Sequence, residues 1–207
     1  MSADLAARWR ALAGGAEEVG ARLIAAYGEP QRRYHGQGHV RWLLEEQDRR
    51  AGVITDAAYV SFAIWFHDAI YDPTRGDNEE LSAQWAEREL AVLAPALAAP
   101  VAALIRRTKN HMEGDASGDE ALFLDMDMAI LGAPRVDYVA YAAAVRAEYG
   151  HAPDAAFIAG RGAFLDAQLA RSRLFRTDIY ETECAAIARA NMAFERAELA
   201  KGKLIVP

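Results

Sequence analysis

His67 and Asp68 close an apolar run, Phe62-Ala63-Ile64-Trp65-Phe66. A neighbouring His and Asp present an imidazole nitrogen and a carboxylate oxygen from one short stretch of backbone. Cations of borderline hardness accept that mixture. His35 and His39 lie upstream, and His111, Asp125 and Asp127 lie downstream. Four of the five histidines therefore fall in one ordered series with three acids. The chemistry such a set would support is binding of a divalent cation and, through it, activation of water.

Each part has a plainer reading when taken singly. His35-Gly36-Gln37-Gly38-His39 places two histidines four apart, but no Glu follows His35, so the helical zinc-protease pattern fails. Two glycines also argue against a full helix there, so His39 is expected at a helix start and His35 on the loop before it. On its own His39 reads as a capping or packing residue. Asp68 beside bulky aromatics needs a partner, either a cation or a hydrogen-bond donor. In Leu124-Asp125-Met126-Asp127-Met128 the acids could be first-turn residues of a helix. The apolar flanks on both sides favour ligands instead.

The elements that must position these groups read as helices. Ala, Leu, Glu and Arg dominate, and alternating β-branched runs are nearly absent. A helical region over 4–27 is expected to break at Gly14-Gly15. A second helix starts near His39 and ends before Gly52. Thr55 or Asp56 caps a third, which runs to about Ile70 and buries the face carrying Tyr59, Phe62, Phe66 and Ile70. Further helices are expected over about 78–93, 96–109 and 119–131. Three more follow: one ending at Tyr149-Gly150, one over 154–172 and one over 181–199. Between them, 72–77 and 113–118 read as loops. Trp9, Trp42, Trp65 and Trp85 are expected to pack, and so is Cys184.

With 207 residues, an apolar fraction of 53% and no composition shift, one all-α domain over 1–207 is expected. The net charge of −7 argues against binding a nucleic-acid polymer. One cysteine excludes an internal disulfide. No cationic leader precedes an apolar stretch, and no apolar run is long enough for a membrane. A cytoplasmic protein is the expectation, and a homo-oligomer is left open.

The joint pattern resembles the HD superfamily of metal-dependent phosphohydrolases, whose signature is a His, a His-Asp pair and a later Asp on separate helices. It is most similar to the small bacterial members of that superfamily. The likeness is carried by Tyr34-His35-Gly36-Gln37-Gly38-His39-Val40, by Trp65 to Asp72, and by Asp77-Asn78-Glu79-Glu80. Thr108-Lys109-Asn110-His111, Phe123 to Asp127 and Ala188-Arg189-Ala190-Asn191 complete it.

The resemblance implies a single-domain helical bundle of the HD type. It implies metal ligands His39, His67, Asp68 and a later Asp, with Asp127 first and Asp125 second. His35 and His111 would ligate a second ion, touch substrate or pack. The ion would be Mn, Fe, Co, Ni, Zn or Mg, one or two of them. The implied activity is hydrolysis of a phosphate ester or anhydride, with a nucleotide or similar small phosphorylated molecule as substrate.

One departure stands out. Relatives that act on guanosine pyrophosphates or nucleotides carry a catalytic Glu soon after the His-Asp pair, whereas Tyr71 and then Asp72 stand here. Asp72 is therefore a candidate base, with Asp77 and Glu79 behind it. Lys109 is the nearest cation for phosphate, and Arg146 and Arg189 have structural readings that are simpler. Two other readings remain: an HD-fold two-iron oxygenase using His35 and His111, and a non-catalytic, nucleotide-sensing metal module.

Overall fold

The computed structural model describes residues 2–206, and Met1 and Pro207 lie outside them. Its helices are α1 (Ser2–Ala13), α2 (Glu17–Ala26), α3 (Gln37–Arg49), α4 (Ala57–Phe66), α5 (Asn78–Leu93), α6 (Pro95–Arg107), α7 (Gly118–Met128), α8 (Arg135–Glu148), α9 (Asp154–Leu169) and α10 (Asp178–Ala200). Short 3-10 turns follow α6 and α7, at Thr108–Asn110 and Ala129–Gly132. The fold is all-α, and no strand occurs among the described residues. No described helix is long and apolar enough to cross a membrane.

Packing divides the chain after Phe123 into two compact units. Helix α7 runs unbroken through that division. In the first unit α4 is the central element, with α3, α5 and α6 packed against it. Val60 and every residue from Phe62 to Phe66 are buried. A helix that is apolar on all sides must be enclosed in this way. Trp9 of α1 meets Phe62, Trp65 and Phe66 edge-on, with ring centroids 6.2, 5.3 and 6.1 Å away. Trp9 and Trp65 are fully buried, while Trp42 and Trp85 are half-buried.

Both ends of α4 are fixed by named groups. At its start the Asp56 carboxylate accepts the Tyr59 N–H at 2.9 Å. The Asp119 carboxylate in turn accepts the N–H groups of Thr55 and Asp56, at 2.9 and 2.6 Å. At its end the helix stops at Phe66 rather than near Ile70, with His67 as the capping residue. The backbone beyond Phe66 finds partners outside the helix. Arg32 donates to the carbonyls of Asp68 and Ala69, and the Ile70 N–H donates to the Ser82 hydroxyl at 3.0 Å. These partners take the place of those that a further helical turn would supply. Tyr59 and Ile70 are accordingly half-buried, not part of a fully covered face.

In the second unit α10 packs on α9 and on the Ala129–Gly132 turn. Glu195 of α10 is buried and accepts two hydrogen bonds from Arg161, at 2.9 and 3.0 Å, and one from the Tyr138 hydroxyl. Such a bidentate, fully satisfied pair can be buried without leaving a lone charge. Burial and the Glu195 charge together push the Tyr138 hydroxyl far above its ordinary pKa. Gly132 lies against Cys184, and a Cβ there would fall 2.6 Å from the cysteine Cβ. Cys184 is thus a half-buried packing residue.

Gly20 of α2 faces the Trp9 ring so closely that a Cβ would sit 2.2 Å from Trp9 Cδ1. Overpacking of this kind costs about 1–3 kcal/mol. Gly20→Ala is expected to lower the urea midpoint by a corresponding amount, measured by circular dichroism. An unchanged midpoint would mean that Trp9 is not locked in place.

Candidate metal centre

His39 enters from the first turn of α3. That turn is tied to the end of α2, because the Gln37 N–H donates to the Tyr27 carbonyl at 3.1 Å and the Gln37 side-chain amide donates to the Ile24 carbonyl at 3.0 Å. Gly36 allows the approach, since a Cβ there would already lie 3.2 Å from the Tyr27 oxygen. The His39 ring lies 5.0 Å from that of Tyr34 and is 4% exposed.

His67 is 1% exposed, and its orientation is set by a backbone carbonyl. Its Nδ1 lies 3.0 Å from the Ile64 oxygen. A carbonyl can only accept, so Nδ1 carries the proton, and Nε2 of the neutral ring offers its lone pair. Nε2 lies 3.1 Å from Nε2 of His39 and 3.1 Å from Oδ2 of Asp68. The Phe123 ring closes one side, edge-on at 5.7 Å.

Asp127 stands four residues beyond Phe123 on the same unbroken helix, one turn further along. One ligand atom from each of His39, His67 and Asp127 lies within 4.8 Å of the others. Two buried nitrogens and a half-buried carboxylate make up this group, with Asp68 beside it. The donor set suits a divalent transition cation. Two nitrogens bound to one ion at about 2.1 Å can be no more than about 4.2 Å apart. The observed 3.1 Å meets that limit.

Asp125 has a different occupation. It is 1% exposed, and its carboxylate accepts the N–H groups of Arg176 and Thr177 and the Thr177 hydroxyl, each at 2.7 Å. Thr177 is the N-cap of α10, so Asp125 anchors the start of that helix. Burial pushes its carboxyl above the usual carboxylate range, against the pull of these three donors. It is not a member of the His39 group.

His35 and His111 are also outside that group. The His35 ring stacks on Tyr71 at 4.2 Å and stands 6.1 Å from the His39 ring. His111 is half-buried in the turn after Asn110. Asp72 is half-buried too, and its Oδ1 accepts the Thr74 N–H at 2.9 Å and the Thr74 hydroxyl at 2.6 Å. Glu79 lies half-buried in the first turn of α5. Its neighbour Glu80 is held down to about 2 by Arg106 and then Gln84. Asp77 pairs with Arg75 at 2.7 Å. Lys109 is exposed and donates to the Gly76 carbonyl at 2.5 Å, which ties it to the 72–77 loop. Tyr71 and Asp72 open onto a groove of about 1030 Å³ that Arg22, Arg32, Arg75 and Trp85 also line.

Arg146 and Arg189 take the structural roles that were the simpler expectation. Arg146 binds the Tyr149 carbonyl and Asp154, while Arg189 binds the carbonyls of Leu169, Arg171 and Ser172. Arg32, by contrast, escapes notice in the sequence. It stands among polar neighbours in Gln31-Arg32-Arg33, yet its side chain is 1% exposed.

The two acids of α7 should separate cleanly. Asp125→Asn places an amide against backbone N–H groups and is expected to cost about 1–3 kcal/mol of stability with cation binding retained. Asp127→Asn is expected to do the reverse. Thermal unfolding and metal titration of both variants check this, and loss of cation binding in Asp125→Asn alone would reverse the assignment. Comparison of the chain with protein-family models, with curated proteins and with solved structures finds no match.

Proposed function

We propose that the protein is a metal-dependent phosphohydrolase acting on a phosphate ester or anhydride of a small molecule such as a nucleotide. The observation that carries this reading is the grouping of buried His39 and His67 with half-buried Asp127, and Asp68 against His67. When bound, a divalent cation there supplies Lewis acidity towards a phosphoryl oxygen and lowers the pKa of water.

The chain's own groups would do the rest. His67 holds its proton at Nδ1 against Ile64, which keeps the Nε2 lone pair directed at His39. Phe123 and the buried end of α4 exclude bulk water from the two nitrogens, and that strengthens every charge interaction among them. Asp72, steadied by the Thr74 hydroxyl, would orient the attacking water or return a proton to the leaving oxygen. Lys109 brings positive charge to the 72–77 loop, where a phosphate would need it. Glu79 is the alternative acid on the same segment.

The resemblance to HD proteins agrees with this reading on residues drawn from across the chain. A two-iron oxygenase would call on His35 and His111 as well, and neither belongs to the group formed by His39, His67 and Asp127. A one-cation hydrolase therefore has the better support.

Purified protein is expected to contain a divalent transition metal in near-stoichiometric amount. It is expected to release phosphate from at least one member of a panel of nucleotides and sugar phosphates, and a chelator should abolish that release. His67→Ala should lose both metal and turnover and remain helical by circular dichroism. A metal-loaded protein that binds nucleotides but turns none over would favour the sensing module.

A further inference from the structure

We infer that Arg32 is a positioning residue that sets the separation of His39 and His67. This inference rests on the metal reading of those histidines. Arg32 precedes α3, and four of its five N–H donors have protein acceptors. Nη1 donates to the Asp68 carbonyl at 2.6 Å and to the His35 carbonyl at 3.2 Å. Nη2 donates to the Ala69 carbonyl at 3.0 Å, and Nε donates to Glu29 Oε2 at 3.1 Å. The guanidinium also lies over two rings, Tyr27 at 5.2 Å and Tyr71 at 5.6 Å.

These contacts join two stretches that are distant in sequence. One is the turn that carries His35 and leads into His39. The other is the backbone immediately after His67, held at Asp68 and Ala69. The aromatic neighbours reinforce the same link, because the Asp68 N–H donates to the Tyr27 hydroxyl at 3.2 Å and Tyr71 stacks on His35. A rigid planar fork is needed to hold three carbonyls at once. Lysine, whose three donors share one nitrogen, does not match acceptors arranged around both Nη1 and Nη2.

Groups that orient metal ligands from outside typically change metal affinity about 10–100-fold when altered. The test titrates cobalt(II) into the purified full chain and follows both affinity and ligand-field absorption, for the wild type, Arg32→Lys and Arg189→Lys. Arg189 is the control, since it clamps three carbonyls in the second unit by the same chemistry.

Arg32→Lys is expected to weaken cobalt binding about 10–100-fold and to alter the spectrum. Arg189→Lys is expected to lose stability yet bind cobalt as the wild type does. If the wild type takes up no cobalt, the metal reading falls and this inference falls with it. If the wild type binds and Arg32→Lys matches it in affinity and spectrum, only the positioning role is overturned. Equal weakening by Arg189→Lys would also overturn it, by exposing a general loss of stability. Should Arg32→Lys fail to fold, Glu29→Ala removes one anchor of the guanidinium. A smaller loss of cobalt affinity supports the role there, and an unchanged affinity overturns it.

Discussion

Two imidazole nitrogens are held face to face, 3.1 Å apart, in a place that water barely reaches. Polar groups are buried only where they are satisfied, and the carboxylate of Asp68 stands at the same point, 3.1 Å from Nε2 of His67. The Ile64 carbonyl already claims the Nδ1 proton of His67, which leaves a lone pair aimed at His39. Most of what is notable in the first unit follows from keeping that pair in register. Helix α4 is buried at every residue from Phe62 to Phe66, which fixes its end. Helix α3 is tied at its start to the Tyr27 and Ile24 carbonyls.

The acids divide their labour by helical geometry. Residues two apart on a helix point about 200° away from each other, so Asp125 and Asp127 cannot serve one partner. Asp125 takes the first N–H groups of α10, and Asp127, on another side of the helix, is the candidate ligand. The arginines divide similarly. Arg146, Arg161 and Arg189 hold the second unit together through carbonyls and the buried Glu195, whereas Arg32 does comparable work beside the histidines.

Much of this was legible in the residues. The helical class, the break at Gly14-Gly15, the Asp56 cap and the span of α5 all follow from local signals that act within a turn or two. His39 at a helix start, with His35 on the loop before it, followed from the glycines between them. Local signals place the end of α4 near Ile70, and it falls at Phe66 because its cause lies elsewhere. A guanidinium some thirty-six positions upstream and a serine twelve positions downstream take the backbone groups that would have continued the helix. Arg32 was invisible for the same reason, since a buried clamp and a solvated cation look alike in one dimension. The choice between Asp125 and Asp127 depended on which side of α7 faced which neighbour, and that is a property of packing. The division after Phe123 leaves no mark in composition, because it falls inside a continuous helix.

The proposed function requires that His39, His67 and Asp127 share one divalent cation. A crystal grown with manganese, with diffraction recorded at the metal's absorption edge, tests it most directly. An anomalous peak is expected within bonding distance of both Nε2 atoms and of an Asp127 oxygen. A map with full-occupancy side chains and no peak among them, or a peak held by other residues, would contradict it.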